Sequence, residues 1–218
     1  MKNTETTPIV RVVTSSLFAE NAYLLSLAKE GDCIVVDPGL DVERIVEQLQ
    51  AARLSPVAIL NTHGHGDHIA GNELLKQTWP EAPLLIGAGD AWKLTDPEGN
   101  LSAGFGLPMV SPPADQTVSE GDVLDFAGLR WTVLETPGHS GGHVAFVAKE
   151  LSPMIVLGGD VLFAGSVGRS DFPDGDHQTL LDSIRTKLFS LPDDTVVLPG
   201  HGPPTTIGHE RRTNPFLT

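Results

Sequence analysis

The hexapeptide His63-Gly64-His65-Gly66-Asp67-His68 puts three imidazoles and a carboxylate into one short stretch, a donor density suited to a divalent metal ion. Mixed nitrogen and oxygen donors fit zinc and also accept iron or manganese. The two glycines are expected to let the backbone turn tightly enough for neighbouring side chains to share a centre. With 8 His and 16 Asp among 218 residues, the pattern HxHxDH arises by chance roughly once per thousand such chains, so a polar loop with incidental histidines is a weak rival.

Three more segments offer donors in a similar setting. His139 stands in TPGHSGGH, Asp160 follows the apolar run MIVLGG, and His201 stands in LPGHGP. A lone histidine is more often a hydrogen-bonded core or surface residue than a ligand. Here each donor follows a strand-like run and sits among Gly and Pro, which predicts a place at the rim of a sheet. Five His and two Asp make seven donors, enough for two ions.

The elements that must position them can be read from periodicity and turn residues. Strands are expected at Ile9 to Val13, Ala22 to Leu27, Cys33 to Val36 and Val57 to Leu60. Further strands are expected at Leu84 to Ile86, Val123 to Phe126, Arg130 to Leu134, His143 to Val147, Ile155 to Leu157 and Thr195 to Leu198. Asp41 is placed to cap a helix running to about Ala52, with Val42, Ile45, Val46 and Leu49 on one face. A second helix is expected from about His68 to Thr78, ended by Trp79-Pro80. A third carries Leu180, Leu181, Ile184, Leu188 and Phe189 on its apolar side, and Asp96 to Pro113 reads as a loop. The two halves look alike, and two sheets packed face to face with helices outside satisfy the pattern. The fold class is α/β (α+β), with residues 1–218 taken as a single domain.

Composition narrows the partners. A domain of this size buries roughly 70% of its unfolded surface. A formal charge of −14 argues against nucleic acid or an anionic membrane surface, both of which need dense Lys and Arg. Cys33 is the single cysteine, so neither an internal disulfide nor a thiolate cluster is available. MKNTETTPIV lacks the apolar stretch of a signal peptide, and no window suggests a membrane span, so a cytoplasmic location is expected.

HGHGDH, TPGHSGGH, the GGD ending at Asp160 and PGHGP together resemble the metallo-β-lactamase superfamily in order and spacing. GRSDFPDGD (Gly168 to Asp176) and the closing TIGHERRTNPFL look like glyoxalase II, the hydroxyacylglutathione hydrolases, in their short one-domain bacterial branch. The likeness runs from about Ile9 to Leu217. It implies an αββα sandwich of two mixed sheets flanked by helices, with the metals at one edge. It also implies that His63, His65 and His139 hold one ion, that Asp67, His68 and His201 hold the other, and that Asp160 bridges them. Two divalent ions, zinc ahead of iron or manganese, would acidify a shared water. Asp67 or Asp160 would orient the resulting hydroxide. The implied reaction is hydrolysis of a small-molecule glutathione thioester such as S-D-lactoylglutathione, as in methylglyoxal detoxification.

Longer glyoxalase II enzymes carry a helical C-terminal extension that supplies much of the glutathione site. This chain ends 17 residues after His201, and Arg169 is the candidate for a compensating cation. An ion pair with Asp171 is the bland alternative for Arg169. His143 is expected to be structural, His177 to be exposed beside a capping Asp176, His209 to lie away from the site, and Cys33 to be a buried inert thiol. Thr62 and Thr136 are placed to hydrogen-bond behind the ligands. The rival reading is a mononuclear-iron persulfide dioxygenase, a group that shares the GRSDF-type segment. A secreted β-lactamase and a nuclease fit less well, for want of a signal peptide and of a basic surface.

Overall fold

A computed structural model describes residues 7–218, so the reading of residues 1–10 lies largely outside the described range. Side-chain alternation decides which face of each strand is buried. In Asn21–Ser26, Tyr23 and Leu25 point one way and Ala22 and Leu24 the other, and all six residues are buried. A strand apolar on both faces must lie between two layers.

The first sheet contains, in order, β1 (Ile9–Thr14), β2 (Asn21–Ser26), β3 (Gly31–Val36), β4 (Leu54–Asn61), β5 (Leu84–Gly87) and β6 (Gln116–Val118). β1, β2 and β3 pair antiparallel, whereas β3 to β6 run parallel. Helix α1 (Val42–Ala51) connects β3 to β4, and α2 (Gly66–Ile69) and α3 (Asn72–Thr78) lie between β4 and β5. The second sheet uses β7 (Val123–Phe126), β8 (Leu129–Glu135), β9 (Val144–Ala148) and β10 (Ile155–Gly159). A small hairpin, β11 (Leu162–Phe163) with β12 (Ser166–Val167), and helix α4 (His177–Thr186) precede β13 (Val196–Pro199), β14 (Thr205–Thr206) and α5 (Ile207–Thr213). The spatial order is β14-β13-β10-β9-β8-β7, and the α4 crossover makes β10 and β13 parallel.

Three apolar layers follow. Tyr23, Leu25, Ile34 and Leu60 face Trp131, Val133, Phe146 and Leu157 between the sheets. Leu24, Val35 and Ile59 meet Ile45, Leu49 and Leu75 of α1 and α3, while Ala145, Val147 and Val156 meet Leu180 and Ile184 of α4. This is the expected αββα sandwich. No helix among the described residues is long and apolar enough to cross a membrane.

Several local expectations are corrected. Asp41 occupies the cap position of α1 without capping it, because its carboxylate accepts from the Ser16 N–H and from Arg44 at 2.9 Å each. The single helix expected over His68 to Thr78 is two helices. Gly71 donates its N–H to the Pro38 carbonyl at 2.7 Å instead of continuing the helical ladder. His143 stands just outside β9, and the closing tail forms α5, capped by the Thr206 hydroxyl.

Candidate metal centre

Each expected donor leaves the sandwich at the same rim. His63 and His65 follow β4, Asp67 and His68 lie in α2, His139 sits between β8 and β9, Asp160 follows β10, and His201 follows β13. Gly64 and Gly66 serve space and not turning. Neither has a left-handed φ, but a Cβ at Gly64 would stand 2.7 Å from Lys93 Cβ, and one at Gly66 2.9 Å from Ser102 Cβ. The loop must press against its neighbours to aim its histidines inward.

The donors converge in two sets. His139 Nε2 lies 3.2 Å from His63 Nε2 and 2.9 Å from His65 Nδ1. His201 Nε2 lies 3.4 Å from Asp67 Oδ2, and His68 Nε2 lies 3.8 Å from that same oxygen. Asp160 stands between the sets: its Oδ2 is 3.6 Å from His139 Nε2 and 3.5 Å from His201 Nε2, and its Oδ1 is 3.5 Å from His68 Nε2. Within each three-residue set the donor atoms lie within 4.8 Å of one another.

The outward ring atoms fix the tautomers. The Thr62 hydroxyl donates to Asp37 at 2.7 Å, so it must accept from His63 Nδ1 at 3.0 Å, which leaves the His63 Nε2 lone pair facing inward. His68 Nδ1 donates to Asp37 at 3.2 Å, and His139 Nδ1 donates to the Arg169 carbonyl at 2.7 Å. Inward lone pairs packed this closely repel unless a cation lies among them. His68 Nε2 and Asp160 Oδ1 are buried with no hydrogen-bond partner among the described residues. By donor chemistry and these orphaned atoms, the residues fit divalent metal. Asp37 also lies near His63 and His68, but its oxygens are already filled by Thr62 and His68, which makes it a support that holds those two residues.

Burial holds His65 down to about 3, aided by charge on His139 and Lys93, and it holds His63 well below the usual histidine range. Burial also lowers His139, although Asp160 opposes it. At His68 and His201 burial pulls the same way but is outweighed, by Asp160 and Asp67 at His68 and by Asp67 and Asp160 at His201, so both are raised. Burial works against ionisation of Asp160, yet His68, His139 and His201 keep its carboxyl far below the usual carboxylate range.

Of the residues set apart from the seven donors, His143 is buried and accepts the Asp160 N–H, with its Nδ1 on the Thr136 hydroxyl. His177 is exposed at the start of α4, which Asp176 caps through Thr179 N–H, and His209 is exposed in α5. Cys33 is buried, its thiol pushed up to about 12 by desolvation. Arg169 forks onto Asp171 through two 2.9 Å contacts while still bordering the open cavity above the donors, a space of about 290 Å³.

Some supports were not anticipated. Asp37 closes a buried strand before Pro-Gly much as Asp160 closes its own, and that parallel was a usable signal. Lys93 and Asp90 are wholly buried. Lys93 Nζ meets Asp174 at 2.6 Å and Asp90 at 3.2 Å. Asp90 accepts from the Gly64 N–H, the Ser140 hydroxyl and the Gly142 N–H, tying the His63 loop to the His139 loop. Glu20 is fully buried, both carboxyl oxygens lack partners among the described residues, and burial raises its pKa well above the usual range.

Comparison with known proteins identifies the family and the fold. The model of the metallo-beta-lactamase superfamily matches residues 16–201. The chain is 36% identical to the hydroxyacylglutathione hydrolase GloC of Haemophilus influenzae over 211 residues, covering 95% of this chain and 97% of that one. Its fold is similar to the crystal structure of the BLEG-1 B3 metallo-beta-lactamase, with a TM-score of 0.90, 36% identity, and coverage of 96% of this chain and 100% of that one. It is also similar to TTHA1623 in a di-iron-bound form, with a TM-score of 0.82, 39% identity, and coverage of 95% and 100%. The chain belongs to the metallo-beta-lactamase superfamily.

Proposed function

We propose that this chain is a two-metal hydrolase of glutathione thioesters such as S-D-lactoylglutathione. In this reading His63, His65 and His139 hold one ion, Asp67, His68 and His201 hold the other, and Asp160 serves both. The observation that carries it is the convergence of inward lone pairs and ionised carboxylates at one rim, with Asp160 set between two donor groups. The full-length likeness to a hydroxyacylglutathione hydrolase supports the substrate class. Zinc is the proposed metal; a related fold also holds two irons.

When bound, such ions supply Lewis acidity and an acidified water at neutral pH. The chain's own residues supply position. Asp160 and Asp67 are ionised, so their oxygens accept hydrogen bonds and orient an attacking water. Asp37, Thr62 and the Arg169 carbonyl hold the imidazole rings in their donor tautomers. A thiolate leaves without a strong general acid, which suits a site whose buried histidines His63, His65 and His139 stay neutral. Arg169, 66% exposed in its side chain and stacked 4.5 Å over the Phe172 ring, is the cation offered to a glutathione carboxylate once Asp171 swings aside. A glutathione substrate places the reaction in the cytoplasm, where thiols are kept reduced.

The test is metal analysis paired with a thioester assay. Protein holding two ions per chain should cleave S-D-lactoylglutathione and release free thiol. No cleavage, together with oxygen uptake on glutathione persulfide, would replace this reading with the iron dioxygenase.

A further inference from the structure

The walls of the cavity over the donors are aromatic. Phe172 meets His65 and His139 edge-on, with ring centroids 5.0 and 5.4 Å away, and Phe163 approaches His201 at 6.2 Å. Across the opening Phe18 and Phe105 form an edge-to-face pair at 5.4 Å, with Phe105 60% exposed. The polar side chains in the wall are already committed. Asn100 donates to the Lys93 and Met109 carbonyls and accepts the Ser102 N–H, and the Ser102 hydroxyl accepts the Met109 N–H at 2.8 Å. The Arg169 guanidinium is forked on Asp171. Apart from the donors themselves, the neutral polar side chains of the wall, Asn100 and Ser102, are thus already hydrogen-bonded within the protein.

We infer that the acyl group selected by this site is apolar and larger than lactoyl, an aliphatic or arylalkyl chain seated against Phe18, Phe105, Phe163 and Phe172. The inference rests on the thioester-hydrolase reading and deepens it. Orientation follows from desolvation: glutathione carries two carboxylates and an ammonium, which cannot be buried unpaired among phenyl rings. The peptide part stays at the mouth near Arg169, and the acyl part faces the aromatic wall. The cavity of about 290 Å³ corresponds to about ten water-sized groups, enough for about six to eight carbons beside the proposed ions. Exposed aromatic surface of this kind beside a reactive centre is more often a ligand wall than an accident of folding.

Two measurements on the metal-loaded protein test this. The first is calorimetric binding of S-methyl-, S-butyl- and S-hexylglutathione, thioethers that cannot be hydrolysed. Affinity should rise about fourfold per methylene, and the Phe105→Ser variant, altered at an exposed position, should flatten that rise. The second is kcat/KM for lactoyl-, butyryl- and hexanoylglutathione, with hexanoyl exceeding butyryl by about fifteenfold, two methylenes' worth. Affinity and kcat/KM that stay level or fall with chain length overturn the inference, and cleavage that still occurs then leaves the hydrolase reading standing. Affinity that climbs with chain length while no thioester is cleaved supports the apolar wall and removes the hydrolase reading.

Discussion

His143 Nε2 accepts the backbone N–H of Asp160 at 3.1 Å while His143 Nδ1 meets the Thr136 hydroxyl at 2.9 Å. One buried imidazole thereby connects the loop that carries His139 to the carboxylate standing between the two donor sets. It holds no place in either set, yet it fixes the residue that both would share.

His143→Leu should therefore leave the Asp160 N–H buried without an acceptor, at a cost of about 1–3 kcal/mol. Urea unfolding of chelator-treated protein would measure it, with metal content per chain as the second readout. An unchanged midpoint and full metal content would refute this role. His143→Gln, which restores an acceptor, should recover part of both.

Lys93 is the sole charge partner within 4 Å of buried Asp90 among the described residues, and the pair underpins the loops of His63 and His139. Lys93→Met should cost about 3 kcal/mol, because it strands a buried carboxylate. Adding Asp90→Asn removes the stranded charge but turns an amide NH2 toward one of the groups that donate to Asp90, so it should return only part of that loss. A double variant less stable than the single one would show that the cost does not come from the stranded charge.

Metal loading should depend on pH differently at the two sets, since imidazole ligands must be neutral. His68 and His201 have raised pKa values, so protons already compete with metal there above the ordinary histidine value of 6.5 and hold those rings protonated below it. His65, His63 and His139 have lowered values, with His65 near 3, so protons compete little at that set across the same range. Between about pH 6.5 and 3 the protein should pass through a one-metal state held by His63, His65 and His139. Metal per chain, measured against pH at fixed free metal, should show two steps. A single step releasing both ions together contradicts the prediction.

Chelation should abolish thioester cleavage and lower the thermal midpoint. Free metal at a hundredfold excess over its Kd should restore about 2.7 kcal/mol. His201→Ala should halve the metal content and lower kcat/KM by about a hundredfold or more. Full activity in the chelated protein would remove metal from the chemistry.

The donors were legible because each segment that carries them follows an apolar strand and holds glycines, so local spacing put them at one rim. The sheets were legible from the continuous apolar run at β2 and the alternation along β8. Lys93 was not, since a lysine in AWKLT looks like a surface residue, and only the tertiary approach of Asp174 and Asp90 buries it. Asp41 misled because a nearer partner, Ser16, captured its carboxylate from a loop distant in sequence. β6, β14 and the β11–β12 hairpin have too few residues to show a period. The break at Gly71 depends on the Pro38 carbonyl, which no helical pattern encodes.

The isolated bridge between Glu20 and His201, with the Asn21 N–H on the Gly200 carbonyl and the Tyr23 hydroxyl on the Pro199 carbonyl, clasps β2 of one sheet to the end of β13 in the other. Each proposed ligand set likewise draws members from both halves of the sandwich. A bound ion would then act as a rivet across the seam between the layers, resisting the breathing motion that opens a two-sheet fold at its edge. Because Asp67 and His68 come from one sheet's edge and His201 from the other's, the second rivet fits only where both sheets are docked, which makes occupancy of that set a mark of a closed sandwich.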